Sequence, residues 1–270
     1  MTVRIGTSGW AYPEWRGGYY PKGLPQRGQL EYLAGRLSTV ELNGSFYRLQ
    51  RPAGYRSWYE RTPAHFVFAV KGHRFVTHVR RLKDPAEPLA NFLGSGVLEL
   101  GNKLGPLLWQ LPPGLRFDPP LVRDFLTALD TATAATGRSL RHAIEVRDPT
   151  FRDQRFYDLL AEHNVALVRA DTAGRWPYIE QDTADFTYAR LHGATELYVS
   201  DYDATEVASW ADKVRTWTEQ GDVYLYFDNT AFGAAPWNAE LLAELDRACR
   251  GSGVAGPSRS DVDQRSTTSR

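Results

Sequence analysis

The stretch His142-Ala143-Ile144-Glu145-Val146-Arg147 shows the pattern that decides the fold. It is a short run of apolar and β-branched residues, which favours a strand, and it carries charges towards its carboxyl end. Because successive side chains point to opposite faces of a strand, Glu145 and Arg147 share one face. The apolar residues between them point to the other face, where we expect a layer of helices.

Seven further strand signals of this kind lie along the chain, at residues 3–8, 39–47, 66–72, 106–111, 166–171, 186–192 and 223–228. Helical patterns alternate with them. Asp118-Pro119 predicts the start of one helix, and residues 150–153 and 203–206 resemble capping boxes before two others. Eight strand and helix units within about 250 residues predict a (β/α)8 TIM-like barrel.

Two parts of the pattern are irregular. Little chain separates the sixth strand from the seventh and Pro177 interrupts it, so we expect the helix there to be short or missing. The segment 9–29, rich in glycine, proline and aromatic residues, is predicted to fold over the barrel mouth. A doubly wound open sheet is the alternative fold, but no Gly-x-Gly-x-x-Gly follows the first strand. We predict one barrel domain over residues 1–250 and a disordered tail over 251–270, which has little to bury.

Composition limits the classes of function. The 270 residues contain 32 Lys and Arg and 32 Asp and Glu, so the formal net charge is zero and any basic site is local. The single cysteine, Cys249, excludes an internal disulfide and a zinc site built from cysteines. No targeting segment is apparent, and no apolar run approaches the ~18 residues of a spanning helix. We therefore predict a cytoplasmic protein without a membrane partner.

Polar residues stand near the carboxyl ends of most predicted strands, where TIM barrels place their active sites. Taken singly, such a residue is more often a solvated strand end or half of an ion pair. Buried charge is costly unless it is paired, however, so a ring of charges across seven strands favours a functional site. The predicted ring consists of Glu41, Asn43, Lys71, Gln110, Glu145, Arg147, Asp171, Arg190, His192 and Asp228, with Arg169 on the same face as Asp171.

The residue types in this ring indicate an enzyme with an anionic, phosphate-bearing substrate. Lys71, Arg147 and Arg190 are predicted to clamp the phosphate, because arginine binds such groups through paired donors. The general acid or base is sought among Glu145, Asp171 and His192, with Glu41 and Asp228 as further catalytic candidates. Further predicted substrate-binding residues are Asn43, Gln110, Trp10, Tyr47 and Asn229. The reaction suggested is phosphoester hydrolysis of a nucleotide, nucleic acid or sugar phosphate.

Two other classes of function stay open. A carbohydrate-processing enzyme would use paired carboxylates such as Glu41 and Glu145, with Trp10 as a platform for the sugar. A barrel without catalysis would bind a nucleotide, nucleic acid or protein through its aromatic, basic mouth. A divalent metal is a weakly signalled candidate cofactor, since the predicted catalytic acids and His192 supply suitable ligands while the arginines compete for the same carboxylates. The substrate, the metal requirement and the oligomeric state stay open.

Several motifs, in order along the chain, resemble the YecE-like family, a domain of unknown function numbered seventy-two. They are Ile5-Gly6-Thr7-Ser8-Gly9-Trp10, Trp15-Arg16-Gly17, Tyr19-Tyr20-Pro21-Lys22, Glu41-Leu42-Asn43-Gly44-Ser45-Phe46-Tyr47, Phe68-Ala69-Val70-Lys71-Gly72, Leu104-Gly105-Pro106, Trp109-Gln110-Leu111-Pro112-Pro113, Ala189-Arg190-Leu191-His192-Gly193 and Tyr226-Phe227-Asp228-Asn229. The resemblance covers about residues 3–249. It implies a TIM-like barrel and little about the reaction.

Overall fold

Nine parallel strands form a nearly closed barrel in the computed structural model, which describes residues 1–251. The strands are β1 (Val3–Ser8), β2 (Thr39–Leu42), β3 (Val67–Lys71), β4 (Leu104–Gln110), β5 (His142–Glu145), β6 (Val165–Leu167), β7 (Arg169–Asp171), β8 (Phe186–Leu191) and β9 (Asp222–Phe227). The helices are α1 (Gln29–Ala34), α2 (Gly44–Tyr47), α3 (Pro52–Glu60), α4 (Ala86–Gly94), α5 (Pro119–Ala134), α6 (Gln154–Glu162), α7 (Ala204–Thr218) and α8 (Ala234–Gly251). The predicted (β/α)8 TIM-like barrel is confirmed.

The barrel closes within the sixth predicted strand. That strand is interrupted at Val168, so that β6 pairs with β5 and β7 pairs with β8. The order of the sheet runs β6-β5-β4-β3-β2-β1-β9-β8-β7, and its two edges are therefore consecutive pieces of one stretch of chain. The backbone amide of Val168 still donates to the carbonyl of Ile144 at 2.9 Å, which holds the break against β5.

The boundaries of several elements differ from those predicted. The second strand ends at Leu42 instead of residue 47, because α2 begins at Gly44 and the Ser45 hydroxyl donates to the carbonyl of Lys71 at 2.7 Å. The capping box at 203–206 is confirmed, with Asp203 accepting from the Glu206 amide at 2.8 Å. The box predicted at 150–153 is wrong, because Asp153 itself caps α6.

Within residues 1–251, no helix lies between β7 and β8, as the short connection predicted. The segment 9–29 reaches the barrel mouth, where the indole nitrogen of Trp15 donates to the carbonyl of Thr230 at 3.2 Å. In the same part of the chain, no helix is both long and apolar enough to cross a membrane. The predicted tail, 251–270, lies outside the described residues apart from Gly251, which ends α8.

In the barrel interior, small side chains on one side lie opposite large ones on the other. Residues from β3 to β7 are mostly small, while β8 and β9 supply aromatic rings, and the Tyr188 and Tyr226 ring centroids lie 5.2 Å apart. The cluster consists of Ala69, Leu108, Ala143, Ala166, Val168, Ala170, Phe186, Tyr188, Tyr224 and Tyr226. Since these side chains fill the interior, we expect a ligand site at the carboxyl ends of the strands, as in other TIM barrels.

The predicted orientation of the sixth strand is wrong. Ala166, Val168 and Ala170 face the interior, so Arg169 and Asp171 point towards the helices. The Arg169 guanidinium pairs with Asp182 and lies 4.5 Å from the Trp217 ring of α7. The tyrosines of β8 and β9 need small residues opposite them, which is the physical reason for this orientation.

Candidate functional site at the carboxyl ends of the strands

Arg190, at the carboxyl end of β8, is fully buried and donates hydrogen bonds to three carboxylates from other parts of the chain. Its guanidinium donates to both oxygens of Glu41, from Nε to Oε2 at 3.0 Å and from Nη2 to Oε1 at 2.8 Å. It also donates to Glu145 Oε2 at 2.5 Å and to Asp228 Oδ2 at 3.0 Å. The guanidinium is therefore occupied by carboxylates, although Arg190 borders the mouth.

Glu41 has no oxygen left for a substrate. Oε1 accepts from the Ser8 hydroxyl at 2.9 Å, and Oε2 accepts from the Tyr188 hydroxyl at 2.6 Å, in addition to the two donors of Arg190. The side chain is fully buried. Burial and the charge of Glu41 hold the pKa of Tyr188 well above its usual value, so this phenol stays a donor. Glu41 thus serves as a structural carboxylate beneath the mouth.

Glu145 joins Arg190 to Arg147. Arg147 Nε donates to Glu145 Oε1 at 3.0 Å, and Arg147 Nη2 donates to the Tyr198 hydroxyl at 3.1 Å. The guanidinium carbon lies 3.8 Å from the ring centroid of Trp176, which is close enough for stacking. Burial raises the pKa of Glu145, but the charges of Arg190 and Arg147 outweigh it and lower the pKa well below its usual range. Glu145 is therefore ionised.

Asp228 is the carboxylate of this group that reaches the mouth, with 12% of its side chain exposed. His192 Nδ1 lies 2.9 Å from Asp228 Oδ2 but is poorly aligned for a hydrogen bond, and His192 Nε2 accepts from Arg190 Nη1 at 3.4 Å. Burial raises the pKa of Asp228, but Arg190 and His192 outweigh this effect and lower the pKa to about 2. The carboxylate is ionised at any physiological pH.

Lys71, at the carboxyl end of β3, differs from the other two cations of the cluster. Its side chain is nine-tenths buried, and among the described residues no group forms a hydrogen bond or an ion pair with Nζ. The ammonium instead lies 4.4 Å from the ring centroid of Phe46. Burial and then the charge of Arg190 lower the pKa of Lys71 to about 8, against the opposing effect of Glu145, Glu41 and Asp228.

A cavity of about 400 Å³ opens above Lys71. We call it the mouth cavity; it is lined by Tyr12, Asn43, Phe46, Tyr47, Lys71, Arg190, Tyr198, Asp228 and Thr230. Tyr47 is largely exposed, which makes it the outer wall. Tyr198 has a backbone φ of 68°, a left-handed conformation that costs a non-glycine residue energy. The loop after β8 therefore holds this tyrosine in place against strain, with its hydroxyl next to Arg147.

A second cavity of about 330 Å³ adjoins the first, because both share Tyr12 and Asn43 as walls. Its other walls are mostly apolar and include Trp10 and Trp58, whose ring centroids lie 5.6 Å apart in an edge-to-face arrangement. The side-chain amide oxygen of Asn43, Oδ1, is buried and has no hydrogen-bond partner in the described chain. An acceptor of this kind at the junction suits a donor on a ligand that spans both cavities.

A run of basic residues follows β3 and adds positive charge around the mouth. This basic run consists of His73, Arg74, His78, Arg80, Arg81 and Lys83. His78 packs on Phe46 with ring centroids 4.9 Å apart. Burial and then the cationic side chains of Lys71, Arg147, Arg74 and Arg81 lower the pKa of His78 to about 4. Four cations therefore act on one neutral imidazole beside the cavity wall, so the local field favours an anion although the whole chain is neutral.

Three predicted site residues belong neither to the Arg190 cluster nor to the walls of the two cavities. Asp171 accepts from the Tyr202 hydroxyl at 2.8 Å and lines a separate small cavity against α7. Gln110 donates to the carbonyl of Leu111 at 2.7 Å, and Asn229 donates to Ser200 and Asn238. In the part of the chain that the structure describes, no three His, Cys, Asp or Glu side chains are arranged to hold a metal ion. The five ligands suggested for a metal do not meet, because Asp171 points outwards and Arg190 occupies the centre.

Sequence reasoning missed Tyr188, Tyr198 and Trp176. Tyr188 precedes Arg190 by two positions on the same strand, so strand alternation was a signal for it. Tyr198 and Trp176 lie in irregular segments after β8 and β7, where no periodicity indicates a direction. Their roles depend on loop geometry that the pattern of residues does not carry.

Comparison with known proteins matches residues 4–258 to the family model described as protein of unknown function DUF72. The chain is 24% identical over 273 residues to the UPF0759 protein YunF of Bacillus subtilis (strain 168), covering 90% of this chain and 94% of that protein. Among solved structures, it resembles a DUF72 family protein of Thermotoga maritima MSB8 with a TM-score of 0.77 and 26% identity, over 91% of this chain and 99% of the other. A DUF72 family protein of Enterococcus faecalis V583 has the same fold, with a TM-score of 0.75 and 18% identity over 91% and 96% of the two chains.

Proposed function

The chain belongs to the DUF72 family, and from the geometry of its mouth we propose that it is an enzyme acting on a small phosphate-bearing organic anion. The observation that carries this proposal is the state of Lys71. Its ammonium is buried at the base of a cavity, and no carboxylate of the described chain hydrogen-bonds to it. A buried charge without a partner is costly, so an anionic ligand on Lys71 supplies the missing interaction.

The two adjoining cavities support a substrate with two parts. The charged part fits the mouth cavity, between Lys71 and the positive field of the basic run. A ring fits the second cavity against Trp10 and Trp58, with a donor to the unpaired oxygen of Asn43. Nucleotides and sugar phosphates combine these two features, and aromatic walls suit the stacking of either.

Phosphoester hydrolysis stays a prediction. It needs a base to activate water, and Asp228, whose pKa is about 2, is a weak base at neutral pH. The carbohydrate alternative is not favoured, because Glu41 is buried and all its oxygens are occupied. A mouth with every charge paired and no cavity would favour a barrel without catalysis. Here Lys71 has no carboxylate partner among the described residues, and it lines an open cavity.

Titration of the protein with inorganic phosphate, ribose 5-phosphate, a nucleoside monophosphate and a short single-stranded oligonucleotide tests the proposal. Tryptophan fluorescence reports binding, since Trp10 lines the second cavity and Trp176 stacks on Arg147. We expect saturable binding that weakens at least tenfold, about 1.4 kcal/mol, in Lys71→Met. Lys22→Met, which removes an exposed lysine that lines neither cavity, is the matched control and should change affinity little.

Binding of the organic phosphates should exceed that of inorganic phosphate, because only they fill the second cavity. Binding of the oligonucleotide alone would move the proposal from a small molecule to nucleic acid. Absence of binding by any of the four probes at millimolar concentration, or equal affinity in wild type and Lys71→Met, would contradict the proposed anion site.

A further inference from the structure

We infer that Lys71 is the nucleophile of the reaction, and that its amine forms an imine with an aldehyde or ketone group of the bound anion. The inference rests on the proposed function for the charge of the substrate and adds the chemical class of its reacting group. It also changes the role of Lys71, from a fixed positive charge to a group that alternates between ammonium and neutral amine.

Comparison with Lys103 shows what is particular to Lys71. Both lysines are buried, since 5% of the surface of Lys103 and 9% of that of Lys71 are exposed. Lys103 Nζ donates to the carbonyls of Tyr59 and Thr62 and to the Thr62 hydroxyl, the last at 3.2 Å, so all three of its protons are used. Lys71 Nζ has no such acceptor among the described residues, and it faces the mouth cavity. Lys103 is thus a structural cation, whereas Lys71 is free to react.

The surroundings of Lys71 favour its neutral form. The Phe46 ring covers one side of Nζ, and the neighbouring Arg190 is a permanent cation that disfavours a second one. These are the two conditions, an apolar wall and an adjacent positive charge, that activate amine nucleophiles in enzymes. With a pKa of about 8, roughly a tenth of the amine is neutral at pH 7.

The covalent step needs no other reactant. The nitrogen lone pair of neutral Lys71 attacks the carbonyl carbon, a C–N bond forms, and the carbonyl π electrons move to oxygen, which takes up a proton. The nitrogen of this carbinolamine loses a proton, its lone pair then forms the C=N bond, and the protonated hydroxyl leaves as water. One water molecule is released, and no atom is oxidised or reduced.

Two groups on the same cavity can assist this step. The Tyr198 hydroxyl accepts from Arg147, so its own proton is available to the cavity. Asp228 presents an ionised carboxylate there, and its Oδ1, which has no hydrogen-bond donor in the described residues, can stabilise the positive charge of the protonated nitrogen. The strained backbone of Tyr198 is consistent with a side chain that must stay at this position.

Reductive trapping tests the inference. The protein is incubated with glyceraldehyde 3-phosphate or with uncharged glycolaldehyde in the presence of sodium cyanoborohydride, which reduces an imine to a stable secondary amine. Peptide mass spectrometry then measures the adduct at each lysine. We expect Lys71 to be labelled at least tenfold faster than Lys83 or Lys22 in the same molecule, with a rate that rises with pH through an apparent pKa near 8. Exposed lysines titrate near 10.4.

Lys71→Arg separates the two roles of the residue, since it keeps the charge and removes the nucleophile. Phosphate binding should persist in this variant while the adduct disappears, and circular dichroism checks that it is folded. The glycolaldehyde arm does not depend on the anion site, so labelling at Lys71 without phosphate binding would remove the proposed function alone. Equal labelling of Lys71 and Lys83 by both aldehydes in wild-type protein would overturn the inference, whatever the binding experiment shows.

Discussion

Arg190 neutralises carboxylates that come from three other places in the chain, Glu41, Glu145 and Asp228. Arg190→Met leaves three buried acids without this shared cation. We expect the free energy of unfolding to fall by ~3–5 kcal/mol, as for other buried pairs that lose one partner. Urea denaturation measures the loss. Adding Glu41→Gln to this variant should recover part of the stability, and an unchanged stability of Arg190→Met would show that the acids do not depend on it.

The same acids predict how stability depends on pH. The pKa of Asp228 is lowered to about 2 and that of Glu145 is also lowered well below its usual range, whereas both groups titrate near 4 when unfolded. Their contribution is complete above the unfolded pKa and is lost as pH falls through the folded values. We expect unfolding free energy to decline below about pH 4, and Asp228→Asn to remove ~2 kcal/mol of that decline. Denaturation curves from pH 6 to pH 2 check this, and a parallel decline in both proteins would contradict it.

Individual residues of the mouth were partly predictable from the sequence. Strand alternation placed Glu41, Lys71 and Glu145 on the inner face, where the structure also has them. It could not tell which cation lacks a partner, because the contacts of Arg190 depend on distances between strands far apart in the chain. Nor could it indicate Tyr198, whose position depends on a left-handed backbone within a loop.

At the scale of elements, the end of β3 fits closely against β4. A Cβ atom on Gly72 would lie 2.3 Å from two ring carbons of Trp109, which is fully buried and donates to His142 at 3.2 Å. Gly72→Ala must displace this ring, so we expect a loss of ~1–3 kcal/mol in unfolding free energy. Gly18→Ala, with nothing within 4 Å of its added Cβ, is the control and should stay within ~0.5 kcal/mol. Equal stabilities of the two variants would show that Trp109 moves freely.

The sixth strand shows where pattern reading fails for an element. Residues 165–171 alternate in two ways, with Arg169 and Asp171 on one face and Ala166, Val168 and Ala170 on the other. The face with Arg169 and Asp171 resembles the faces of the other strands that carry site residues. The structure selects the small residues for the interior, since the rings of Tyr188 and Tyr226 already fill it. A choice that depends on volume across the barrel cannot be made from one strand alone.

For the whole molecule, the place where the barrel closes should also be where it opens most readily. β6 and β7 have three residues each, whereas β8 and β9 pair along six. Local opening costs least where few backbone hydrogen bonds must break. Hydrogen exchange followed by mass spectrometry should therefore show faster exchange in residues 165–171 than in β1, β8 or β9. Uniform protection around the barrel would contradict this expectation.

The overall fold was predictable because the same alternation of a strand signal and a helix signal recurs eight times along the chain. Each strand boundary was uncertain by a few residues, yet the alternation of strands and helices admits few architectures. The proposed reaction was not predictable in the same way, because the proposal rests on a single amine, Lys71, and on the side chains around it.

The arrangement around Arg190 also has a consequence during protein synthesis. The ribosome releases Glu41 and Glu145 well before residue 190, so the first two thirds of the chain emerge with acids that lack their guanidinium. A partial barrel that buried them would be unstable, which delays closure until β8 arrives. Residues 1–171 expressed alone should therefore stay open to proteases, and co-expression with residues 172–251 should restore resistance. We therefore expect the nascent chain to fold only after Arg190 has left the ribosome.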